Sequence, residues 1–398
     1  AERFAFLQEA MFGVLADFSV DHVAVVGVYA DQEVTFGAAP AATEGVTTEF
    51  TATGASALVF PLTVAAGTSD TIKIGTATVT LEAKVYNTAA LYLAEVNAEL
   101  AGAGLETKAE IVAGKLVLSQ STTFSLVTGT NAGTLAAGAA ISTIRGNFAL
   151  LAGQFAESQT LNHSATLAYI GASAPAGNSL GQVKAKVDTL VAINNEYSGY
   201  VSVIAGAELG YILPGRSDYY FTNGVVTYAA LVSTLRAESA TTNKRVYGVA
   251  AMHYNLSLRQ LNALTGNKYV TFRLKNNQVV VSDGITTAPD LVVGGAKQSS
   301  DFTRLSTLRI TQTAAQLVRD LVEPFIGEPN RMPQYNALNA TIKGGLEAMK
   351  AQGAIFDYRF TVVARGGTLS EAVITLELIP AFEMRKVSVN VTLRPYTV

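Results

Sequence analysis

The chain has 398 residues, and at roughly 150 residues per domain this length predicts two or three domains whose core needs no disulfide bonds. It contains no cysteine and three histidines, which excludes a thiolate zinc site or a cysteine nucleophile and disfavours a metal site built from imidazoles. The net charge of −3 offers no basic surface to nucleic acid, and no run of 18 apolar residues could insert into a membrane. Charged residues make up only 15% of the chain, so we expect other subunits to cover much of its surface.

The first elements are typical of an α/β domain. Phe4, Leu7, Met11 and Val14 recur at helical spacing and predict one helix with a single apolar face. The continuous apolar run over residues 22–29 predicts a buried strand directly after it. A helix that leads into a buried strand indicates the start of a mixed α/β core.

The composition changes between residues 37 and 146, where Thr, Ala and Gly dominate. One helix is predicted there, with Thr88 as its N-cap, an apolar stripe of Tyr92, Val96 and Leu100, and a glycine at its end. Short strands surround this helix, and Ala113-Gly114 forms a hairpin turn between two of them; the strands cover residues 57–64, 71–74, 77–81, 108–113 and 115–118. We therefore predict that residues 37–146 form a small β-rich α+β domain inserted into a surface loop of the first one.

The α/β pattern returns at residue 147. Ser257 and Gln260 form a capping box at the start of a helix that Gly266 ends, and the polar turn 275–278 joins two strands of a hairpin. The other predicted elements alternate as helix 148–158, strand 165–170, a helix carrying Leu180 to Leu190, strand 200–205 and helix 226–240.

Two helices and three strands are predicted in the last hundred residues. The first helix carries Ile310, Ala314 and Leu321 on one face, and Pro333 opens the second, which Gly353 ends. Strands follow over residues 356–363, 372–379 and 386–394. The fold class is therefore α+β with α/β character: a split mixed-sheet core of residues 1–36 and 147–398, with 380–398 as a C-terminal strand or arm, and the insert 37–146.

The only string that matches a catalytic motif is Gly177-Asn178-Ser179-Leu180-Gly181, the G-x-S-x-G of serine hydrolases. A nucleophilic serine needs a sharp turn directly between a strand and a helix, whereas several loop residues including Pro175 precede Ser179. Gln182 follows three residues later, so a helix N-cap explains Ser179 equally well. His253, the candidate base, lies in an apolar stretch without an evident orienting partner. We predict no catalytic, cofactor-binding or metal-binding residues, and a serine hydrolase using Ser179 stays an alternative.

An ordered series of segments in the second half of the chain resembles contractile phage tail sheath proteins. The likeness covers residues 197–398 well and the opening segment more loosely. It is carried by Tyr247-Gly248, Leu261-Asn262-Ala263-Leu264, residues 269–273, VVSDG at 280–284, DFTRLSTLRI at 301–310, EPFIGEPN at 323–330 and PAFEMR at 380–385. The insert is similar to small decoration domains of sheath and flagellar-hook-associated proteins.

This resemblance implies a structural protein without catalysis or cofactor. Sheath subunits polymerise as stacked rings around a tail tube and contract by repacking their interfaces, which drives the tube through the host envelope. The implied partners are other copies of the chain, the tail tube protein, and baseplate and tail terminator proteins. The implied location is the virion tail, assembled in the cytoplasm of the host bacterium. A surface adhesion or decoration protein is a second alternative, favoured by the β-rich insert and disfavoured by the α/β core.

The C-terminal strand is the predicted site of contact between subunits. Val387, Val389, Val391 and Leu393 alternate strictly with polar residues, which is typical of a strand with one buried face. A terminal strand can leave its own domain and add to the edge of a neighbour's sheet. We expect this strand addition, and the alternative is an ordinary last strand of the chain's own core sheet.

Overall fold

The structure is a computed structural model, and it describes most of the chain. The described residues are 2–383 without 37–43, 128–129, 131–134, 136, 176, 178, 193–195, 206–207, 213, 216, 294–295, 329–330 and 365–371. The predicted contact residues Val387, Val389, Val391 and Leu393 therefore lie outside the described residues.

The described residues form both α-helices and β-strands, so the chain is a mixed α+β protein, as predicted. The helices are α1 (Glu2–Gln8), α2 (Ala89–Gly102), α3 (Phe148–Leu161), α4 (Leu180–Ala192), α5 (Val225–Thr234), α6 (Leu258–Gly266), α7 (Leu305–Val322) and α8 (Met332–Ala351). Within the described part, no helix is both long and apolar enough to cross a membrane.

The strands are short in most of the chain and long only near its two ends. The first twelve are β1 (His22–Tyr29), β2 (Glu33–Phe36), β3 (Val46–Thr53), β4 (Leu62–Thr63), β5 (Thr71–Ile74), β6 (Ala77–Thr80), β7 (Val85–Tyr86), β8 (Lys108–Val112), β9 (Lys115–Gln120), β10 (Ser125–Val127), β11 (Gly138–Ala139) and β12 (Ile141–Asn147). The others are β13 (Leu167–Gly171), β14 (Val201–Ile204), β15 (Leu209–Ile212), β16 (Tyr219–Thr222), β17 (Ala251–Met252), β18 (Tyr269–Val270), β19 (Phe272–Lys275), β20 (Gln278–Val281), β21 (Leu291–Val293), β22 (Ala296–Gln298), β23 (Ile355–Ala364) and β24 (Ala372–Pro380).

Contacts divide the chain into two compact units. The first comprises Ala1–Gln8 and Glu33–Asn147, and the second comprises Glu9–Gln32 and Phe148–Val398. The first unit thus takes in α1 and β2, which the sequence assigned to the other part of the chain. Two contacts explain this difference: the ring of Phe4 packs edge-on against Phe36, and Gly146 leaves no room for a Cβ atom beside Phe4. The predicted insert boundaries at residues 37 and 146 stay a prediction.

The first unit is built on antiparallel sheets around α2. A five-stranded sheet has the order β2-β12-β3-β9-β8, and a four-stranded sheet has the order β11-β10-β5-β6. Tyr92, Val96 and Leu100 are fully buried in the core beside Leu116 and Leu118, as the apolar stripe predicted. The Thr88 hydroxyl accepts a hydrogen bond from the backbone N–H of Leu91, so Thr88 is the N-cap of α2.

The second unit is built on a parallel sheet. Its order is β1-β13-β14-β18, and its strands are nearly continuous apolar runs because helices cover parallel sheets on both faces. The antiparallel sheet β16-β15-β17 and the hairpin β19-β20 complete this region. Two predicted local features are confirmed: the Ser257–Gln260 capping box of α6, and the β19-β20 turn, where Asn276 and Asn277 adopt positive φ.

A third region of the second unit consists of α7, α8 and the hairpin β23-β24. The two strands pair antiparallel along their whole length and form a sheet of two strands among the described residues. Helix α8 packs against β23, and α7 packs against β24. One face of the hairpin therefore points at the helices and carries Tyr358, Phe360 and Leu376, each only half-buried.

Two predicted elements are shorter than the sequence indicated. The strand predicted over 57–64 forms only at β4, since Pro61 has no N–H to donate and the Leu58 N–H bonds to Gly114 instead. The helix predicted over 226–240 ends at Thr234, where the Arg309 guanidinium donates hydrogen bonds to the carbonyls of Leu235 and Arg236. Strands β3 and β12 have no counterpart among the predicted elements.

Candidate functional site

Ser179, the candidate nucleophile, is the capping residue of α4. Its hydroxyl donates to Oε1 of Gln182 at 2.7 Å and accepts from the Gln182 N–H at 3.3 Å, while the Ser179 N–H donates to the same Oε1. These reciprocal bonds are those of a capping box. Asn178 lies outside the described residues, and within the described part of the chain no hydrogen bond joins Ser179 to His253.

His253, by contrast, has the orienting partner that the sequence did not reveal. Its Nδ1 lies 2.9 Å from Oε2 of Glu208, and its ring stacks on Phe221 with centroids 4.3 Å apart. The expectation of no partner was wrong because antiparallel pairing of β15 with β17, which sets Leu209 opposite Met252, brings together residues 45 positions apart.

Glu208, the partner of His253, lines a cavity beside the parallel sheet. This cavity of about 720 Å³ opens beside the carboxyl ends of β1, β13 and β14, the usual place for ligands in α/β sheets. Ser173, Tyr211, Tyr220 and Asn223 also contribute to its lining. The lining provides the carboxylate of Glu208, and its described serine is held in another network.

That network joins Ser173, Asp31 and Lys186. The Ser173 N–H donates to Asp31 at 2.7 Å, its hydroxyl donates to the same carboxylate, and the Lys186 ammonium donates to both side chains. Burial by itself would raise the pKa of Asp31, but the hydrogen bonds from Lys186 and Ser173 outweigh it and hold the pKa below its usual value of 3.8. A lysine that donates to the serine cannot also take its proton, so this arrangement stabilises the fold and does not activate a nucleophile.

The hairpin β23-β24 provides a different kind of candidate: among the described strands only β23 pairs with β24, and an apolar groove lies beside β24. We call this the β24 groove; it has a volume of about 570 Å³ and an apolar lining of Val318, Val322, Ile326, Ile374 and Leu376. Arg319, Asp320 and Glu323 also line it. Its walls come chiefly from α7 and β24, so it follows the outer edge of β24, opposite the edge that pairs with β23.

The other face of the hairpin also carries exposed apolar side chains. Phe356, Val363, Val373 and Ile379 are between 42% and 66% exposed, and Val363 and Val373 lie directly opposite each other across the two strands. A hairpin of two strands is marginal by itself in water, and exposed apolar side chains on a strand pair are typical of a surface that a partner covers. In the described residues, no group of three or more His, Asp or Glu side chains could hold a metal ion.

No family model matches the chain, and no curated protein matches its sequence. Solved structures do resemble it: the anti-feeding prophage baseplate and the contracted anti-feeding prophage helical sheath each give a TM-score of 0.46 at 14% identity over 61% of this chain. The matches span 64% and 65% of those chains, less than two thirds of their length. The sheath tail protein of Listeria innocua gives a TM-score of 0.41 at 12% identity, covering 83% of this chain and 78% of its own.

Proposed function

We propose that this chain is a structural, non-catalytic subunit of a contractile tail sheath. It polymerises with other copies as stacked rings around a tail tube, associates with baseplate and tail terminator proteins in the virion tail, and contracts by repacking its interfaces. Copies must join head to tail, because only contacts between two different surfaces propagate along a tube. The ordered sheath-like segments between residues 197 and 398 support this proposal.

The observation that carries the proposal is the outer edge of β24, with which no other described strand pairs, above a partly covered apolar face. An unpaired edge presents a row of backbone N–H and C=O groups, which folded proteins normally pair or cover. A third strand beside β24 would complete these bonds and lay its apolar side chains into the β24 groove, over Val318, Ile374 and Leu376. The C-terminal strand of another copy is the occupant that we propose.

Two properties of residues 384–398 match this groove. Val387, Val389, Val391 and Leu393 provide four apolar side chains at the two-residue spacing of one strand face. The segment also carries Arg385, Lys386 and Arg394 and no acidic residue, whereas Asp320 and Glu323 outnumber Arg319 in the groove. Attraction between these charges favours the encounter and helps to fix the register of the added strand.

Truncation after Arg385 tests the proposal. We expect the truncated monomer to keep nearly all of its thermal stability and to lose the ability to form tubes, measured by thermal unfolding and by electron microscopy at high protein concentration. If the segment instead belonged to the chain's own core, losing four buried side chains at roughly 1.5–3 kcal/mol each would unfold the monomer. Normal assembly of the truncated protein would refute strand addition.

A pair of point variants separates strand addition from a general effect of the C-terminus. Val389→Lys places a charge on the face that points into the groove and should abolish tubes, while Asn390→Lys places the same charge on the opposite face and should leave them intact. Equal loss of assembly in both variants would contradict an added strand with this alternation.

A further inference from the structure

Arg304 links two acidic side chains from distant parts of the second unit. Its Nη1 donates to Oδ1 of Asp283 at 2.8 Å and to Oε1 of Glu383 at 3.1 Å. All three side chains are largely buried: 17% of Arg304, 8% of Asp283 and 9% of Glu383 is exposed. Asp283 follows β20, and Glu383 is three residues beyond the end of β24, directly before the C-terminal segment.

This ion pair lies at the far end of α7 from the β24 groove. Arg304 directly precedes the first residue of α7, and Val318 and Val322 line the groove 14 and 18 residues later, which corresponds to roughly 20–27 Å along the helix. β24 runs opposite to α7, because Ile374 packs with the Val318 cluster and Leu378 reaches the Ile310 cluster. The chain that leaves β24 therefore moves away from its own groove, towards Arg304.

The residues that could turn the chain back are bonded elsewhere. To fold its C-terminal strand onto its own β24, the chain would need a turn soon after Pro380. The Ala381 N–H instead donates to the carbonyl of Ala354 at 3.0 Å, on the side of β23, and Glu383 is held by Arg304. These two contacts disfavour a return of residues 387–393 to the groove of the same chain.

The contact between Arg304 and Glu383 can also open without leaving the guanidinium unpaired. Asp283 belongs to the same folded region as Arg304, and its Oδ1 also accepts from the Thr242 hydroxyl and the Gly284 N–H. Arg304 thus keeps a fixed, hydrogen-bonded carboxylate if Glu383 departs. This limits the free-energy cost of breaking the contact between Arg304 and Glu383, since an arginine left buried without a partner would be strongly destabilising.

We propose that Arg304 is a positioning residue: through Glu383 it directs the C-terminal segment away from its own β24 groove and so leaves both available to other copies. This inference rests on the proposed function, because it assumes that the groove receives the C-terminal strand. It adds which residue decides whether the groove receives the chain's own C-terminal strand or that of another copy.

The absence of cysteine allows a direct test by disulfide trapping. Val322→Cys in the groove and Val389→Cys in the C-terminal segment are introduced into one chain, and equal amounts of ¹⁵N-labelled and unlabelled protein are mixed before oxidation. Mass spectrometry of the disulfide-linked peptides then separates links within one copy, which carry a single isotope, from links between copies, which mix the two.

With the native Arg304–Glu383 pair, we expect links between copies to predominate. Glu383→Ala removes the contact, so the ratio of internal to intermolecular links should rise at least fivefold. Glu383→Gln keeps an oxygen acceptor but loses the charge, so it should raise this ratio less. It replaces Glu383→Ala in the test if the alanine variant folds poorly. Glu377→Ala, on exposed β24 in the same hairpin, is the matched control and should leave the ratio unchanged.

The outcomes distinguish the two proposals. If links between copies predominate and the ratio of internal to intermolecular links is the same in the parent, the Glu383 variants and the Glu377 control, Arg304 does not have the proposed role. Strand addition would remain supported by this result. Predominantly internal links in the parent would also overturn it. No link between positions 322 and 389 in any variant would contradict both the groove as the receiving site and the inference built on it.

Discussion

Asp31, Ser173 and Lys186 illustrate how single polar residues stabilise the parallel-sheet region. Asp31 follows β1, Ser173 follows β13, and Lys186 lies on α4, so one network joins two strand ends to a helix. The Asp31 side chain is only 8% exposed and that of Lys186 17%, which limits screening by water. Removing one partner of such a pair leaves the other charge buried without compensation.

Asp31→Asn should therefore lower the free energy of unfolding by about 1.5–3 kcal/mol at pH 7, the usual worth of hydrogen bonds to a charged group. The pKa of Asp31 is lower in the folded state than its unfolded value near 3.8. The stability that the ionised Asp31 contributes is therefore complete above pH 3.8 and is lost as the pH falls through the folded-state pKa. Thermal unfolding measured between pH 2 and pH 7 should show that the stabilities of Asp31→Asn and the wild type become equal at the lowest pH.

Asp188→Asn is the control for this prediction, because Asp188 is an exposed carboxylate on the same helix. It should change stability by no more than about 0.5 kcal/mol at any pH. A constant difference between Asp31→Asn and wild type across the whole range would contradict the assigned pKa direction.

Helices α7 and α8 pack closely because α8 carries glycine where it meets α7. A Cβ atom on Gly345 would lie 2.4 Å from Cδ1 of Leu321, whereas a Cβ atom on Gly344 would meet nothing within 4 Å. The two adjacent glycines thus have different reasons to be present. Gly345 permits the approach of the helices that support the hairpin, and Gly344 has no such packing role.

The two positions predict opposite effects. Gly345→Val should destabilise the protein by about 1–3 kcal/mol, since the added atoms must displace Leu321. Gly344→Ala should stabilise it by about 0.5–1 kcal/mol, since alanine costs less than glycine in a helix. Urea unfolding curves of both variants measure this, and destabilisation by Gly344→Ala would show that the α7–α8 contact is wrongly understood.

At the scale of the whole molecule, the chain crosses between its two units three times, near residues 8–9, 32–33 and 147–148. The first unit has its own core around Tyr92, Leu100 and Leu116, and the second has separate cores around its parallel sheet and its two last helices. A core of its own is what allows a unit to fold independently.

We expect that replacing residues 33–147 by a short Gly/Ser bridge leaves a protein with a cooperative thermal transition. Deleting only 37–146, the boundaries predicted from sequence, should leave a less stable protein, because β2 would stay in the chain without most of β12, the strand with which it pairs. Differential scanning calorimetry compares the two. Loss of cooperativity in the 33–147 deletion would mean that the second unit needs the first to fold.

Local signals in the sequence were enough to determine many elements. Thr88, the Ser257–Gln260 box and the Asn276-Asn277 turn act within four residues of one another, and such short-range hydrogen bonds and dihedral preferences form whatever the rest of the chain does. The apolar periodicity of α2 likewise predicted the face that is buried. Strands β3 and β12 escaped prediction because their Thr- and Ser-rich stretches lack a regular apolar alternation.

The candidate sites depended on distances that no local pattern contains. Glu208 reaches His253 across 45 positions, Asp31 reaches Lys186 across 155 and Arg304 reaches Glu383 across 79. In the sequence each is one polar residue among many in loops or at element ends. Only the tertiary structure decided which of them meet, because burial and the pairing of distant strands select the partners. It also decided that β24 lies beside α7 with β23 as its one partner among the described strands, while the sequence by itself had determined the strands of that hairpin and the helices beneath it.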